Sequence, residues 1–362
     1  MRHCASFEIE FFQFLDENAR AANDLPGFAR SNETLLDLYR SMSRVRALDA
    51  RAIALQRTGK LGTYPSSLGQ EAVGAGSGSC VLDDDVLVPY YRSTGLMLER
   101  GIRPHEILLC WGGDERGNDF KDPRAVKDMP FAIPIASQTL HAAGVAAAFK
   151  FRGQDGRAVL TEIGEGGTSE GEFYEAINVA GAWNLPLVCI INNNKWAISV
   201  PSEIQTKAET FAQKGIAAGV DCVQVDGNDV IAVKYAAEEA LKRARSGGGP
   251  TLIEAVTYRL GDHTTADDAT RYNDPEVHQE AERKEPVARL AKYLTKRGAV
   301  KNGDLEAIHA ETKAEIDDEV KIYLDIRENQ PQPASAMFDY LFENLPERVT
   351  AQRDEALAAS VH

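Results

Sequence analysis

The chain has 362 residues, with 40 Lys and Arg against 55 Asp and Glu, a formal net charge of −15, and is 43% apolar. That length suits two domains or one large α/β domain with an appendage, and the apolar share excludes global disorder. The acidic balance, with basic residues interleaved among acids as in Lys242–Arg245 after Glu238 and Glu239, excludes a binder of nucleic-acid backbones.

Along the chain, residues 1–32 are expected to form an N-terminal arm, irregular up to the turn Leu25-Pro26-Gly27. From Asn32 a helical spacing runs through Leu35, Leu36, Tyr39, Met42, Val45, Leu48, Ile53 and Leu55 to Gly59, capped by Ser31 or Asn32. VLVPYY (86–91) predicts a strand, FAIPIAS (131–137) a short extended segment, and the small-residue stretch 141–151 a helix. Strand 158–163, helix 170–184 and the continuous apolar strand 187–192 follow; the last reads as covered on both faces, with Cys189 a buried hydrophobe. Next come a helical stretch over 206–218, strand 222–225, helix 229–245 ended by Gly247, and strand 252–258. This alternation implies an α/β fold with a doubly wound, mainly parallel sheet over residues 33–275. Residues 276–362 read as a charged, weakly amphipathic helical extension broken at Gln330–Pro333.

Five scattered cysteines without a CxxC argue against a disulfide framework and a zinc site. No 18-residue apolar run exists, and MRHCASFEIEFFQFL lacks an apolar secretory core. No membrane partner and a cytoplasmic location are therefore expected.

Ligands of open α/β sheets bind beyond the carboxyl ends of strands, and three such ends carry chemistry. The first is Gly164-Glu165-Gly166-Gly167-Thr168-Ser169-Glu170-Gly171, glycines between a strand and a helix, where backbone amides can approach a phosphate. It lacks the third glycine of a dinucleotide fingerprint, since Ser169 stands there, and no Lys-Ser/Thr pair follows as in a Walker loop. Glu165 would repel a phosphate unless a divalent cation lay between them. Alone, the loop reads equally as a glycine-rich turn with a solvated Glu. The second end, Asn192-Asn193-Asn194-Lys195-Trp196-Ala197-Ile198, supplies hard neutral oxygens that could complete an octahedral Mg²⁺ shell, or is merely a polar strand exit. The third, Leu260–Asp268 with His263, is too polar for core.

Asn194 lies 29 positions after Glu165, across a helix and an apolar strand, and together the two loops match the thiamine diphosphate motif. GEGGTSEGEFYEAINVAGAWNLPLVCIINNNKWAIS resembles the α subunit of 2-oxo acid dehydrogenase E1 components, most closely the bacterial pyruvate type, with the branched-chain type a near relative. GKLGTYPSSLGQEA (59–72), PYYRSTG (89–95), VDGNDVIAV (225–233) and TLIEAVTYRLGDHTTADDATRY (251–272) extend the resemblance over about residues 33–350.

The resemblance implies a thiamine diphosphate-binding fold and these roles. Glu165, Asn194 and the Trp196 carbonyl bind Mg²⁺; Gly164 and Gly166 let the chain approach the diphosphate. Tyr91 and Arg92 reach the diphosphate, with a core tyrosine beside a rim arginine as the lesser alternative. Ile135 wedges between the cofactor rings, Ala197 and Ile198 continue the wall, and His263 touches cofactor and intermediates. It also implies a β subunit carrying the pyrimidine-binding half and the activating glutamate. An α2β2 heterotetramer would then decarboxylate a 2-oxo acid and reductively acylate the lipoyl domain of E2, and the lone chain would be inactive.

Glu165 stands where pyruvate-type members usually have Asp, while Asn192 stands where the branched-chain type tends to have Arg; pyruvate is favoured. Thr264 replaces the serine phosphorylated in mitochondrial relatives. Two other readings remain open, a nicotinamide-dependent Rossmann dehydrogenase, opposed by Ser169 and the asparagines, and a non-catalytic scaffold subunit.

Overall fold

The computed structural model describes residues 3–339 and 342–359. Helix α1 (Asn32–Arg57) turns Leu35, Leu38, Met42, Val45, Leu48, Ala52 and Leu55 inward at helical spacing. Ser31 caps it, its hydroxyl accepting from the Thr34 amide at 3.2 Å. Residues 8–15, within the expected irregular arm, instead supply strand β1 (Glu10–Phe12). Three residues are too few to show an alternation, so only the long-range pairing reveals them.

Helix α2 (Glu71–Gly78), strand β2 (Val86–Val88) and helices α3 (Thr94–Glu99) and α4 (Pro104–Trp111) come next. The three helices span two turns or less, too short for periodicity to announce them. Strand β2 stops before Pro89, sooner than expected, because proline offers no N–H to the ladder. The segment 131–137 is extended only through one bridge, Ala132 to Tyr90. Helix α5 begins at Ser137, four residues early, and runs to Phe151 after Ala136 in a left-handed conformation (φ 65°).

Strand β3 (Val159–Gly164), helix α6 (Gly171–Ala182) and strand β4 (Leu187–Asn193) match expectation to within a residue or two. A two-residue-turn hairpin, β5 (Trp196–Ala197) with β6 (Val200–Pro201), follows. Of the helix expected over 206–218 only the single turn α8 (Gln213–Ile216) forms, and another single turn, α7 (Ser202–Gln205), precedes the region. Thr210 and Gln213 exchange side-chain-to-amide hydrogen bonds at 3.1 and 3.2 Å, which start a helix at 213 and prevent an earlier one. Strand β7 (Asp221–Asp226), helix α9 (Val230–Arg245) and strand β8 (Thr251–Val256) complete the alternation.

The six long-range strands form one all-parallel sheet in the order β1-β7-β8-β4-β3-β2. Leu87, Leu160, Val188, Ile190 and Ile253 pack on one face with α1, α2 and α9. Val86, Val88, Val159 and Leu187 pack on the other with α5 and α6, as do Ile163, Cys189, Ile191 and Leu252 with Phe173 and Ile177. Both faces are therefore dry, and the runs read as continuously apolar. Helices α10 (Pro275–Arg283), α11 (Pro286–Lys296), α12 (Asp304–Asn329) and α13 (Glu347–Ala359) follow, with the break at 330–333 after α12. Far from weakly amphipathic, α11 buries Val287, Leu290 and Leu294, and α12 sends Ile316, Val320 and Tyr323 into the main core. Among the described residues no helix is long and apolar enough to cross a membrane.

The arm is fastened by Asp229, wholly buried, whose carboxylate accepts the Phe14 and Leu15 amides at 2.6 and 2.7 Å and caps α9 through Ile231 at 3.0 Å. Asp229→Ala removes a cap and strands two buried amides. We expect a loss of about 2–4 kcal/mol in urea unfolding, with faster amide exchange over residues 10–15.

Candidate active site

The neighbouring strands β8, β4, β3 and β2 run parallel, so their carboxyl ends open on the same side. There they surround a cavity of about 220 Å³. All eleven residues singled out in the sequence line it. Tyr91 and Arg92 come from the turn after β2, Ile135 from the approach to α5, and Gly164, Glu165 and Gly166 from the end of β3. Asn194, Trp196, Ala197 and Ile198 come from the exit of β4, and His263 from the loop after β8. The β3–β4 register, with Gly164 opposite Asn192, brings the two loops side by side.

Glu165 is 1% exposed. Its carboxylate accepts long hydrogen bonds from the Asn194 amide at 3.3 Å and Gln205 Nε2 at 3.4 Å, and its own backbone amide also faces it. Burial pushes its pKa up, opposed by those donors and by the Arg259 guanidinium. Asn194 is buried too; its Oδ1 accepts from the Trp196 amide at 3.1 Å and its Nδ2 donates to Gln70 Oε1 at 3.0 Å. Among the described residues no three His, Cys, Asp or Glu side chains converge on a metal position. The available donors are one carboxylate, one amide oxygen and the Trp196 carbonyl, hard oxygens that fit Mg²⁺ and not zinc.

The glycines leave room in different ways. A Cβ on Gly164 would meet nothing within 4 Å, so that side of the strand end is open. A Cβ on Gly166 would stand 2.5 Å from the Ala197 Cβ, so this turn packs against the hairpin only as glycine. Ile135 and Ile198, the first of which sequence alone would read as core, are 48% and 56% exposed. Three buried polar atoms of the lining, Tyr90 Oη, Gln138 Oε1 and Trp196 Nε1, have no hydrogen-bond partner among the described residues. Unpartnered buried polar atoms beside bare apolar side chains are what a polar-headed, apolar-bodied ligand would satisfy.

The opposite wall is basic. Arg92, 4% exposed, donates through Nη1 to the Ser66 carbonyl and through Nη2 to the His263 carbonyl at 2.9 Å and His263 Nδ1 at 3.2 Å. A guanidinium can only donate, so Nδ1 holds the lone pair and His263 is neutral with its proton on Nε2. Burial first, then Arg92 and Arg259, lower the His263 pKa to about 4.

The family of dehydrogenase E1 components matches residues 39–332. The chain belongs to that family. Pyruvate dehydrogenase E1 component subunit alpha of Acholeplasma laidlawii is 41% identical over 307 residues, 84% of this chain and 88% of that protein. The protein of the same name from Staphylococcus aureus is 38% identical over 346 residues, 95% and 92% of the two chains. That from Staphylococcus epidermidis is 37% identical over the same length.

The cavity is also supported by residues the sequence did not single out. Arg259 is fully buried and donates to the carbonyls of Gly261 (3.2 Å), Trp196 (3.4 Å) and Ile198 (2.8 Å) and to Tyr272 Oη (2.6 Å). It thus ties the third loop to the second. Glu162, under the cavity, is pushed up to about 7 by burial, against hydrogen bonds from Asn192 and Ser93 at 2.8 Å each. Gln70 and Arg259 lie in stretches that carried the resemblance, yet nothing local marks either as a site residue.

His263 takes a proton near pH 6.5 in the unfolded chain and near 4 in the folded one. Its contribution therefore costs stability as pH falls from 6.5 towards 4 and nothing above 6.5. Carbon-detected NMR of the ring should give a midpoint near 4; a midpoint at 6 or above would contradict the geometry.

Proposed function

We propose that this chain is the α subunit of a thiamine diphosphate-dependent pyruvate dehydrogenase E1, acting with a β subunit as an α2β2 heterotetramer. The pair decarboxylates pyruvate and acetylates the lipoyl domain of E2. The observation that carries the reading is the convergence of a buried, uncompensated Glu165, the Asn194 amide and the Arg92–His263 pair on one cavity. The relatives bearing that name align over nearly the whole chain.

In this reading residues 33–275 form the diphosphate-binding unit. Glu165, Asn194 and the Trp196 carbonyl would hold Mg²⁺, whose charge would offset the desolvation of Glu165 and make the site hospitable to a phosphate group. Gly164 admits the diphosphate, and Arg92 and Tyr91 bound it on the β2 side. Ile135 and Ile198 orient the apolar body of the cofactor, and Ala197 fills the wall behind Gly166. When bound, thiamine diphosphate supplies the electron sink that decarboxylation of a 2-oxo acid requires. His263, neutral at physiological pH, offers Nε2–H as a donor to developing negative charge, while Arg92 fixes the tautomer. The bare Ile135 and Ile198 suit a cavity whose remaining wall belongs to the β subunit. The branched-chain alternative rests on Glu165 in place of Asp, whose extra methylene still reaches the cation.

Cofactor binding has a pH sign. A raised Glu165 pKa means a cation must displace a proton, so Mg²⁺–thiamine diphosphate affinity should rise with pH through the ionisation of Glu165. Glu165→Gln should flatten that dependence and weaken binding at least about tenfold, on the order of 1.4 kcal/mol. Gly164→Val should fold normally yet bind the cofactor as poorly, both read by calorimetry on the αβ complex.

The assay that tests the function compares the lone chain with the αβ complex on pyruvate and on 3-methyl-2-oxobutanoate. The complex should turn over pyruvate preferentially and the lone chain neither. Turnover by the lone chain, or a strong preference for the branched acid, would refute the respective part.

A further inference from the structure

Lys214 is a buried cation for which the proposed chemistry has no use. It lies in α8 and is 8% exposed. Its ammonium donates to the Thr168 carbonyl at 3.0 Å and to Thr168 Oγ1 at 2.7 Å. The centres of the Phe211 and Tyr174 rings stand 5.2 and 5.5 Å away. Burial lowers its pKa, and no ion pair to it is found among the described residues. A lysine sheltered without a counter-ion is costly, and two ring faces offset only part of the penalty. What the ammonium holds in return is a single residue of the turn Glu165–Ser169.

Thr168 passes the contact on. Its hydroxyl accepts from Lys214 and donates to the Glu165 carbonyl at 2.5 Å, so both lone-pair and proton are committed. The other end of the brace is anchored as well. The Ala212 amide donates to Glu254 Oε2 at 3.1 Å, and Glu254 belongs to β8, in the middle of the sheet. The turn that carries Glu165 is therefore braced to a central strand through Thr168, Lys214 and the segment before α8.

We propose that Lys214 is a positioning residue that holds the Glu165–Ser169 turn in the conformation that receives a diphosphate and its cation, acting through Thr168 without touching the ligand. The identity of the ligand rests on the function proposed above; the brace itself does not. A merely space-filling lysine could be exchanged for a side chain of equal length without effect on the turn. A positioning lysine could not, because methionine has no proton to donate.

The test uses the αβ complex carrying Lys214→Met, Thr168→Val, both together, or Lys214→Arg. Amide hydrogen exchange over residues 164–170 without ligand should be about tenfold faster in Lys214→Met and in Thr168→Val. The dissociation constant for Mg²⁺–thiamine diphosphate should rise about tenfold in each, and the double variant should be no worse than the weaker single. Lys214→Arg should recover part of the loss, and kcat at saturating cofactor should stay within about twofold of the parent, because the brace governs binding. Parent-like exchange and affinity in Lys214→Met, or additive losses in the double variant, would overturn the proposal. If Lys214→Met fails to assemble, Lys214→Gln, whose shorter side chain cannot reach Thr168, takes its place, and unchanged exchange there defeats the brace. If the unaltered complex binds no thiamine diphosphate, the functional reading falls and the exchange measurement still judges Lys214.

Discussion

A carboxylate taken out of water needs either a proton or a cation, and Glu165 is held where it must have one of them. It is 1% exposed, its hydrogen bonds from Asn194 and Gln205 are long at 3.3 and 3.4 Å, and its desolvation outweighs all the donors that face it. The surrounding structure keeps that tension in place. The parallel pairing of β3 with β4 sets Gly164 beside Asn192, the Asn194 amide closes over the carboxylate, and Gly166 lets the hairpin come within contact. In the proposed function a divalent cation would relieve that tension, which is how a fold can convert stability into ligand affinity.

The second loop is strained to the same end. Lys195 and Ile198 both have positive φ, 74° and 57°, and the hairpin turn at Ile198 carries a β-branched residue where glycine or asparagine would sit easily. Such strain persists only where the surroundings over-determine it. Arg259 does so by binding the carbonyls of Trp196 and Ile198 from beneath. It reaches Gly261 as well, so the loops after β4 and β8 share one buried guanidinium. A second guanidinium, Arg92, then sets the tautomer of His263. Arg259 and the Nη atoms of Arg92 donate to carbonyl and hydroxyl oxygens and an imidazole nitrogen, and neither guanidinium forms an ion pair with Glu165 among the described residues.

Much of this was legible before any coordinates. The helix from Asn32, the strands 159–164, 187–193 and 221–226 and helix 230–245 stand where periodicity put them, because each buries a repeating face against a continuous core. The short helices between 71 and 111 escaped notice because two turns carry no period. Of the helix expected over 206–218 only one turn forms, although Phe211, Ala212, Lys214 and Gly215 are buried at helical spacing. Their burial comes from packing against the sheet and α6, while Thr210 and Gln213 bind backbone groups that a longer helix would need.

The chain by itself determined which strand exits carry chemistry, since glycines after a strand and an acid among them are local facts, and an ordered motif set over most of its length marked the family. Tertiary structure alone decided which distant residues support those exits. Gln70, Arg259, Lys214 and Asp229 act through contacts between residues 46 to 215 positions apart, the longest joining Asp229 and Phe14, and nothing beside them in sequence foretells the partner. A buried polar group acquires its meaning from what it is bonded to, and that is settled only when the sheet brings the loops together.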